Sequence, residues 1–275
     1  MSQNPLQQYF RQPKIYINLP SKGVYNKEGT LQGEPFNMPV FGMTGMDEII
    51  IRTPDALMTG ESSVKVIESC CPSIKNGWEV SSLDTDIIFA AIRIATYGNT
   101  MDVSTNCPQC NELNDYELDL NKIVDHYASC KYNNRIVHKD LVITTRPLNY
   151  RQTTEFGIKT YEFQQKIYQA ELVEDKDEQQ KLITELWGAF AKSQNTLFSL
   201  LVESVELPGG VVSERGFIDE WLANCDSDVI DAIKKHINEN KETWKMPLFP
   251  VKCASCGHES EISSELDYSN FFGLA

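Results

Sequence analysis

Met101-Asp-Val-Ser-Thr-Asn-Cys107-Pro-Gln-Cys110, followed by Tyr116-Glu-Leu-Asp-Leu120, has a counterpart near the other end of the chain. That counterpart is Phe249-Pro-Val-Lys-Cys253-Ala-Ser-Cys256-Gly257-His258, followed by Glu261-Ile262. Each stretch reads as an extended segment, a C-x-x-C turn and a second extended segment, which is the knuckle of a zinc ribbon. A C-x-x-C turn aims two sulfurs at one point, and two such turns supply the four tetrahedral thiolates that structural zinc prefers. Gly257 permits the tight turn that closes the second knuckle. The pattern therefore predicts one structural Zn2+ per chain, held by Cys107, Cys110, Cys253 and Cys256. The pairs of a ribbon are usually about 15–20 residues apart, whereas here 142 residues lie between Cys110 and Cys253. The two halves must meet across an inserted domain.

Other chemistry at these cysteines fits less well. A dithiol redox site needs a strand-to-helix setting with the first cysteine at a helix start, and strands on both sides do not provide it. A catalytic zinc keeps an open position and often uses histidine. His258 lies close to Cys256, but four cysteines already fill the shell, so His258 reads as a knuckle-surface residue. His126, His138 and His236 are isolated and read as plain polar residues. Cys70, Cys71, Cys130 and Cys225 read as ordinary buried or half-buried thiols. No phosphate-binding glycine loop, dinucleotide fingerprint, nucleophile elbow or H-E-x-x-H motif occurs. The expectation is a protein that is not an enzyme, with no catalytic or cofactor-binding residues and no small-molecule substrate.

Composition sets the outer bounds. In 275 residues, 41% are hydrophobic and 23% charged, an ordinary globular balance that supports a core without disulfides. The longest apolar runs fall well short of a membrane span, and the polar start Met1-Ser-Gln-Asn-Pro5 leads to no apolar signal segment. Both readings favour a reducing intracellular setting. The net charge of −14, from 39 acidic and 25 basic residues, repels phosphate backbones. A zinc-ribbon nucleic-acid-binding regulator is the alternative function, and a thiol oxidoreductase a weaker one. The first knuckle is followed by Glu112, Asp115, Glu117 and Asp119 and the second by Glu259, Glu261 and Glu265, the wrong sign for nucleic acid.

Working outward, the pattern predicts an α+β chain, mainly helical, with an extended N-terminal arm and the zinc ribbon. Residues 1–45 form the arm: Ile15-Tyr-Ile-Asn-Leu19 alternates like a strand, turns follow at 20–23 and 26–29, and Pro35, Pro39 and Gly42 exclude helix. The arm either packs on its own domain or adds a strand to a neighbour. Residues 46–102 form a helical core segment. In it 54–72 is helical with a break at Gly60, and 83–97 is the clearest helix, apolar over most of its surface and capped by Asp84 or Asp86. Arg93, inside that helix, either snorkels to the surface or forms an internal ion pair. Residues 103–121 and 247–268 are the ribbon halves. Residues 122–246 form the inserted, mainly helical domain, with a strand at 141–145, helices at 150–170 and 176–204, a break at Pro208-Gly-Gly210 and two short helices opened near Ser213–Glu214 and Asp226–Ser227. Residues 269–275 are a tail whose paired aromatics anchor a partner or close the core.

Several segments then look familiar together: Asn18-Leu-Pro-Ser-Lys-Gly23, Met38-Pro-Val40, Met43-Thr-Gly-Met-Asp-Glu-Ile49, Thr53-Pro-Asp-Ala-Leu57 with Gly60-Glu61, Ile92-Arg-Ile-Ala-Thr-Tyr-Gly98, Met101-Asp102, the first C-x-x-C and Asn270-Phe-Phe-Gly273. This set resembles the baseplate hub proteins of T4-like contractile-tailed bacteriophages, over most of residues 14–120 and again at 247–273. The resemblance implies a virion or tail-assembly role without enzymatic activity. Its partners would be other baseplate hub and tail proteins. Its location would be the host cytoplasm during assembly and the tail baseplate afterwards.

Overall fold

The computed structural model describes residues 4–53 and 59–263. These residues form two compact units, one of residues 4–53, 59–131 and 244–263, the other of residues 132–243.

The first unit is built around helix α3 (Ser82–Tyr97). Ile87, Ile88, Phe89, Ala90, Ala91 and Ile92 are six consecutive residues with no exposed surface. A helix apolar on all sides must be covered on all sides, and its neighbours come from before and after it in sequence. Strands β1 (Pro13–Ile17) and β2 (Met38–Phe41) pair antiparallel and pack on α3, burying Ile17, Met38 and Val40. Gly42 lets the chain leave β2 in close contact, since a Cβ there would lie 2.7 Å from the Ala95 carbonyl oxygen of α3. Helix α1 (Gly45–Ile51) opens on a capping box between Thr44 and Asp47. Helix α2 (Glu61–Cys70) starts at Gly60, whose φ of 79° glycine adopts without strain, and buries Val66, Ile67 and Cys70. Residues 54–58, where the sequence places the start of this helix, lie outside the described residues, as does the aromatic tail.

One expectation needs correction here. Neither Asp84 nor Asp86 caps α3. Ser81 does, its side chain accepting from the Leu83 amide. Asp84 is instead buried and accepts from the Ser21 amide at 2.9 Å, the Ser21 hydroxyl at 2.5 Å and the Asn26 side chain at 3.5 Å, so the Asn18–Gly23 motif closes on α3. Of the two readings for the arm, packing on its own unit describes residues 11–41. Besides the strand pair, the Arg11 guanidinium donates to the Gly42 and Ser69 carbonyls, at 2.8 and 2.6 Å, and meets Asp47 at 3.4 Å. The Arg93 guanidinium lies over the Tyr97 ring, 4.6 Å from the centroid, a contact that neither sequence reading named.

Past α3 come strands β3 (Thr100–Asn106) and β4 (Leu113–Asp119), a hairpin, and helix α4 (Asn121–Ser129). The chain returns to this unit at Trp244, stacked on Tyr127 of α4, and ends its described course in a second hairpin, β9 (Leu248–Lys252) and β10 (Glu259–Ser263).

The second unit is an antiparallel sheet in the order β5 (Arg135–His138), β6 (Leu141–Thr145), β7 (Val202–Leu207), β8 (Gly210–Val212). Between β6 and β7 runs a long hairpin of helices α5 (Tyr150–Glu171) and α6 (Lys176–Leu201), capped by Asn149 and Asp175. Helices α7 (Arg215–Asn224) and α8 (Ser227–Thr243) complete the unit. Ile143, Phe198, Val202, Ile218, Leu222 and Ile233 form its core. The helix expected over 176–204 stops at Leu201, because Val202 and Val205 join the sheet core; they are three apart, and both face inward because the β6–β7 register slips by one residue between Ser204 and Val202. His236, read as a polar residue and not a ligand, has an interior hydrogen-bonding place. It is buried in contact with the Thr145 hydroxyl at 3.0 Å and Asn240 at 3.1 Å, and burial holds its imidazole below the usual pKa range. No helix among the described residues is long and apolar enough to cross a membrane.

Candidate metal centre

The two cysteine pairs sit at the turns of the β3–β4 and β9–β10 hairpins, and both hairpins belong to the first unit. Each turn has the same backbone plan. In the first, the Cys107 amide donates to the Glu112 carbonyl and the Asn111 amide to the Cys107 carbonyl, at 2.9 and 2.8 Å. In the second, the Cys253 amide donates to the His258 carbonyl and the Gly257 amide to the Cys253 carbonyl, at 2.9 and 3.0 Å. The residue after the second cysteine takes a positive φ in both, 75° at Gly257 and 59° at Asn111. Sequence reasoning singled out Gly257 and missed Asn111. The signal was present, since asparagine is the side-chain-bearing residue that most readily enters this region.

The four sulfurs converge. All lie within 4.8 Å of one another, with Cys107 Sγ 3.7 Å from Cys256 Sγ and Cys110 Sγ 3.7 Å from Cys253 Sγ. A disulfide would hold two sulfurs about 2.05 Å apart, and all eight cysteines are free. A tetrahedron with zinc–sulfur bonds of about 2.3 Å has an edge of about 3.8 Å, so this donor set has the size and the softness for a four-coordinate thiolate-binding metal.

The turns also prepare two thiolates. Amides of Cys110 and Gln109 point at the Cys107 sulfur and hold its thiol below the usual range. Those of Cys256 and Ser255 do the same for Cys253, bringing it down to about 6. At Cys110 and Cys256 the amides of Glu112 and His258 favour the thiolate, but neighbouring sulfurs and desolvation outweigh them, and Cys110 is pushed up to about 12. Four sulfurs this close cannot all ionise unless a cation joins them, so metal capture here releases protons. His258 stays outside the sulfur cluster.

Asn114 is the residue that links the two knuckles without being a sulfur. It is buried on β4; its side-chain amide donates to the Glu112 carbonyl at 2.8 Å and to Cys253 Sγ at 3.4 Å, while its Oδ1 accepts from the Ala254 amide at 2.9 Å. Nothing in the spacing of Asn114 announces this, because the contact crosses 140 residues. Asn114→Leu is expected to break the bond to the Ala254 amide, cost about 0.5–1.5 kcal/mol and speed metal loss to a chromophoric chelator. An unchanged release rate would remove Asn114 from the site.

Alternating burial fixes the faces of both hairpins. Asn114, Tyr116 and Leu118 point one way along β4, and Phe249 is buried on β9 with Lys122 of α4 over its ring at 5.9 Å. Acidic side chains occupy the exposed positions, among them Asp115, Glu117, Asp119, Glu259 and Glu261.

No curated protein and no solved structure matches the chain. A family model does, that of the T4 bacteriophage base plate protein, over residues 46–273. The matched stretch contains both cysteine knuckles, helix α3 and the whole second unit, and on that match the chain belongs to the T4 bacteriophage base plate protein family.

Proposed function

We propose that this protein is a structural or assembly subunit of the baseplate hub of a contractile-tailed bacteriophage, a protein–protein interaction module stabilised by one Zn2+ on Cys107, Cys110, Cys253 and Cys256. The observation that carries the reading is the sulfur tetrad inside the family match. It clamps two hairpins 142 residues apart in sequence, which suits a rigid building block in a reducing cell. The five parts read from the sequence, an arm, a helical core segment, a split ribbon, an inserted domain and a tail, serve the same proposal. Exposed carboxylates along both hairpins disfavour a nucleic-acid-binding regulator. The sulfur pairing disfavours a thiol oxidoreductase, since the 3.7 Å approaches run between knuckles. The test is quantitative mass spectrometry of purified virions beside infected-cell lysate, with a tagged chain used to recover associated proteins. Recovery of baseplate or tail proteins with the chain is the expected result. A chain that captures no tail protein and instead shifts duplex DNA with steep salt dependence would overturn it.

A further inference from the structure

Helix α5 carries apolar side chains on two opposite faces. Phe163 stacks on Phe190 and meets Trp187 edge-on, so its face packs against α6. At 3.6 residues per turn, Tyr161, Tyr168 and Leu172 lie on the far side, and they are 51%, 61% and 66% exposed. With Thr154, Gly157 and Gln165 they form one stripe along the helix. The spacing repeats every 11 residues (154 and 165, 157 and 168, 161 and 172), a period that keeps a stripe nearly straight along a helix. All six charged residues of α5, Arg151, Glu155, Lys159, Glu162, Lys166 and Glu171, fall off it. In a chain of net charge −14, a charge-free stripe over almost the full length of a helix is a surface built for apolar contact.

We propose that a second copy of this chain packs on it, α5 against α5 and antiparallel, with Gly157 opposite Leu172 and Tyr161 opposite Tyr168. In that register the four central positions of the stripe complement one another. A two-fold axis between Gln164 and Gln165 sets the one residue without a side chain against the large aliphatic one, twice, and the two tyrosines against each other, twice, as an isologous interface requires. Charge agrees. The α5–α6 turn is acidic, with Glu171, Glu174, Asp175, Asp177 and Glu178 against Lys176. The antiparallel register brings it to the start of α5 in the second copy, where Arg151, Glu155 and Lys159 give a small positive balance. A parallel pairing would set two acidic turns side by side and leave glycine facing glycine. Helix α5 is about 33 Å long, and a contact along one such helix is small beside the roughly 800 Å² per partner of a standard interface, so the proposed dimer is weak and reversible.

The test is sedimentation velocity of the full chain over a concentration series. A reversible monomer–dimer equilibrium is expected in the micromolar range. Gly157→Leu meets nothing within 4 Å of the added Cβ in its own chain, so the chain folds, checked by circular dichroism. It should weaken the dimer by about tenfold or more, a shift of about 1.4 kcal/mol. Adding Leu172→Ala to Gly157→Leu should restore most of the loss by returning the volume. A chain monomeric throughout the series, a dimer indifferent to Gly157→Leu, or a double variant no better than the single one would each overturn the proposal.

Discussion

Cys253→Ser is expected to release both hairpins of the first unit while most of the helical signal survives. Structural zinc supplies roughly 10–16 kcal/mol of apparent binding free energy in small metal-folded peptides near neutral pH, against roughly 5–15 kcal/mol for the stability of a typical domain. Among the described residues the hairpin tips are otherwise joined by the Asn114 bonds to Cys253 and Ala254, β3–β4 and β9–β10 are separate two-stranded sheets, and an isolated hairpin is marginal in water. The helices have their own support: α3 is enclosed by β1, β2 and α2, and the second unit has a core of nine buried side chains that includes no cysteine. Limited proteolysis should therefore cut first within 103–121 and 247–263, in the Cys253→Ser chain and in the wild type after strong chelation, with far-UV circular dichroism little changed. Equal protection at those segments after confirmed metal loss would show that Asn114, Phe249 and Trp244 hold the hairpins without the metal.

The second large effect lies at Asp84. Asp84→Ala removes the acceptor of two strong hydrogen bonds from Ser21 and leaves a buried amide unpaired, at a cost of about 3 kcal/mol. Asp84→Asn separates charge from shape. Burial pushes the Asp84 carboxyl up to about 6 from 3.8, against the bonds from Ser21 and Asn26 that oppose the shift. A raised acid binds its proton more tightly folded than unfolded, so its stabilisation is complete below the unfolded pKa and is lost as pH rises through the folded one. From about pH 5 to about pH 8 the wild type should lose about 1.4 kcal/mol through this group, and Asp84→Asn should not. Urea denaturation of both chains across that window reads the difference. A gap between them that stays constant with pH would mean the carboxylate is ionised throughout.

What the sequence disclosed, and what it withheld, follows from how far each contact reaches along the chain. The apolar run at 83–97 and the paired C-x-x-C turns are local patterns, and α3 and the four converging sulfurs stand where those patterns placed them. The cap of α3 was misassigned because Asp84 and Ser81 are both good capping residues, and only a partner 63 residues away, Ser21, decides between them. Strands β5 and β8 are short, and β7 follows a helix without a break, so the helical pattern ran on through Val202 until the sheet claimed it. Asn114 and His236 look like ordinary polar residues in sequence and become interior hydrogen-bond partners only once residues 140 and 91 positions distant arrive. Trp244 likewise acquires its role through Tyr127, across the whole of the second unit.

The central claim is that one metal ion on four thiolates joins the two knuckles, and the most direct measurement is the metal content of the intact purified chain together with its cobalt-substituted spectrum. One zinc per chain is the predicted result, with sulfur-to-cobalt charge transfer and tetrahedral ligand-field bands on substitution, and loss of both in Cys107→Ser and in Cys253→Ser alike. A folded wild-type chain that holds no zinc, or a stoichiometry untouched by Cys253→Ser, would contradict it.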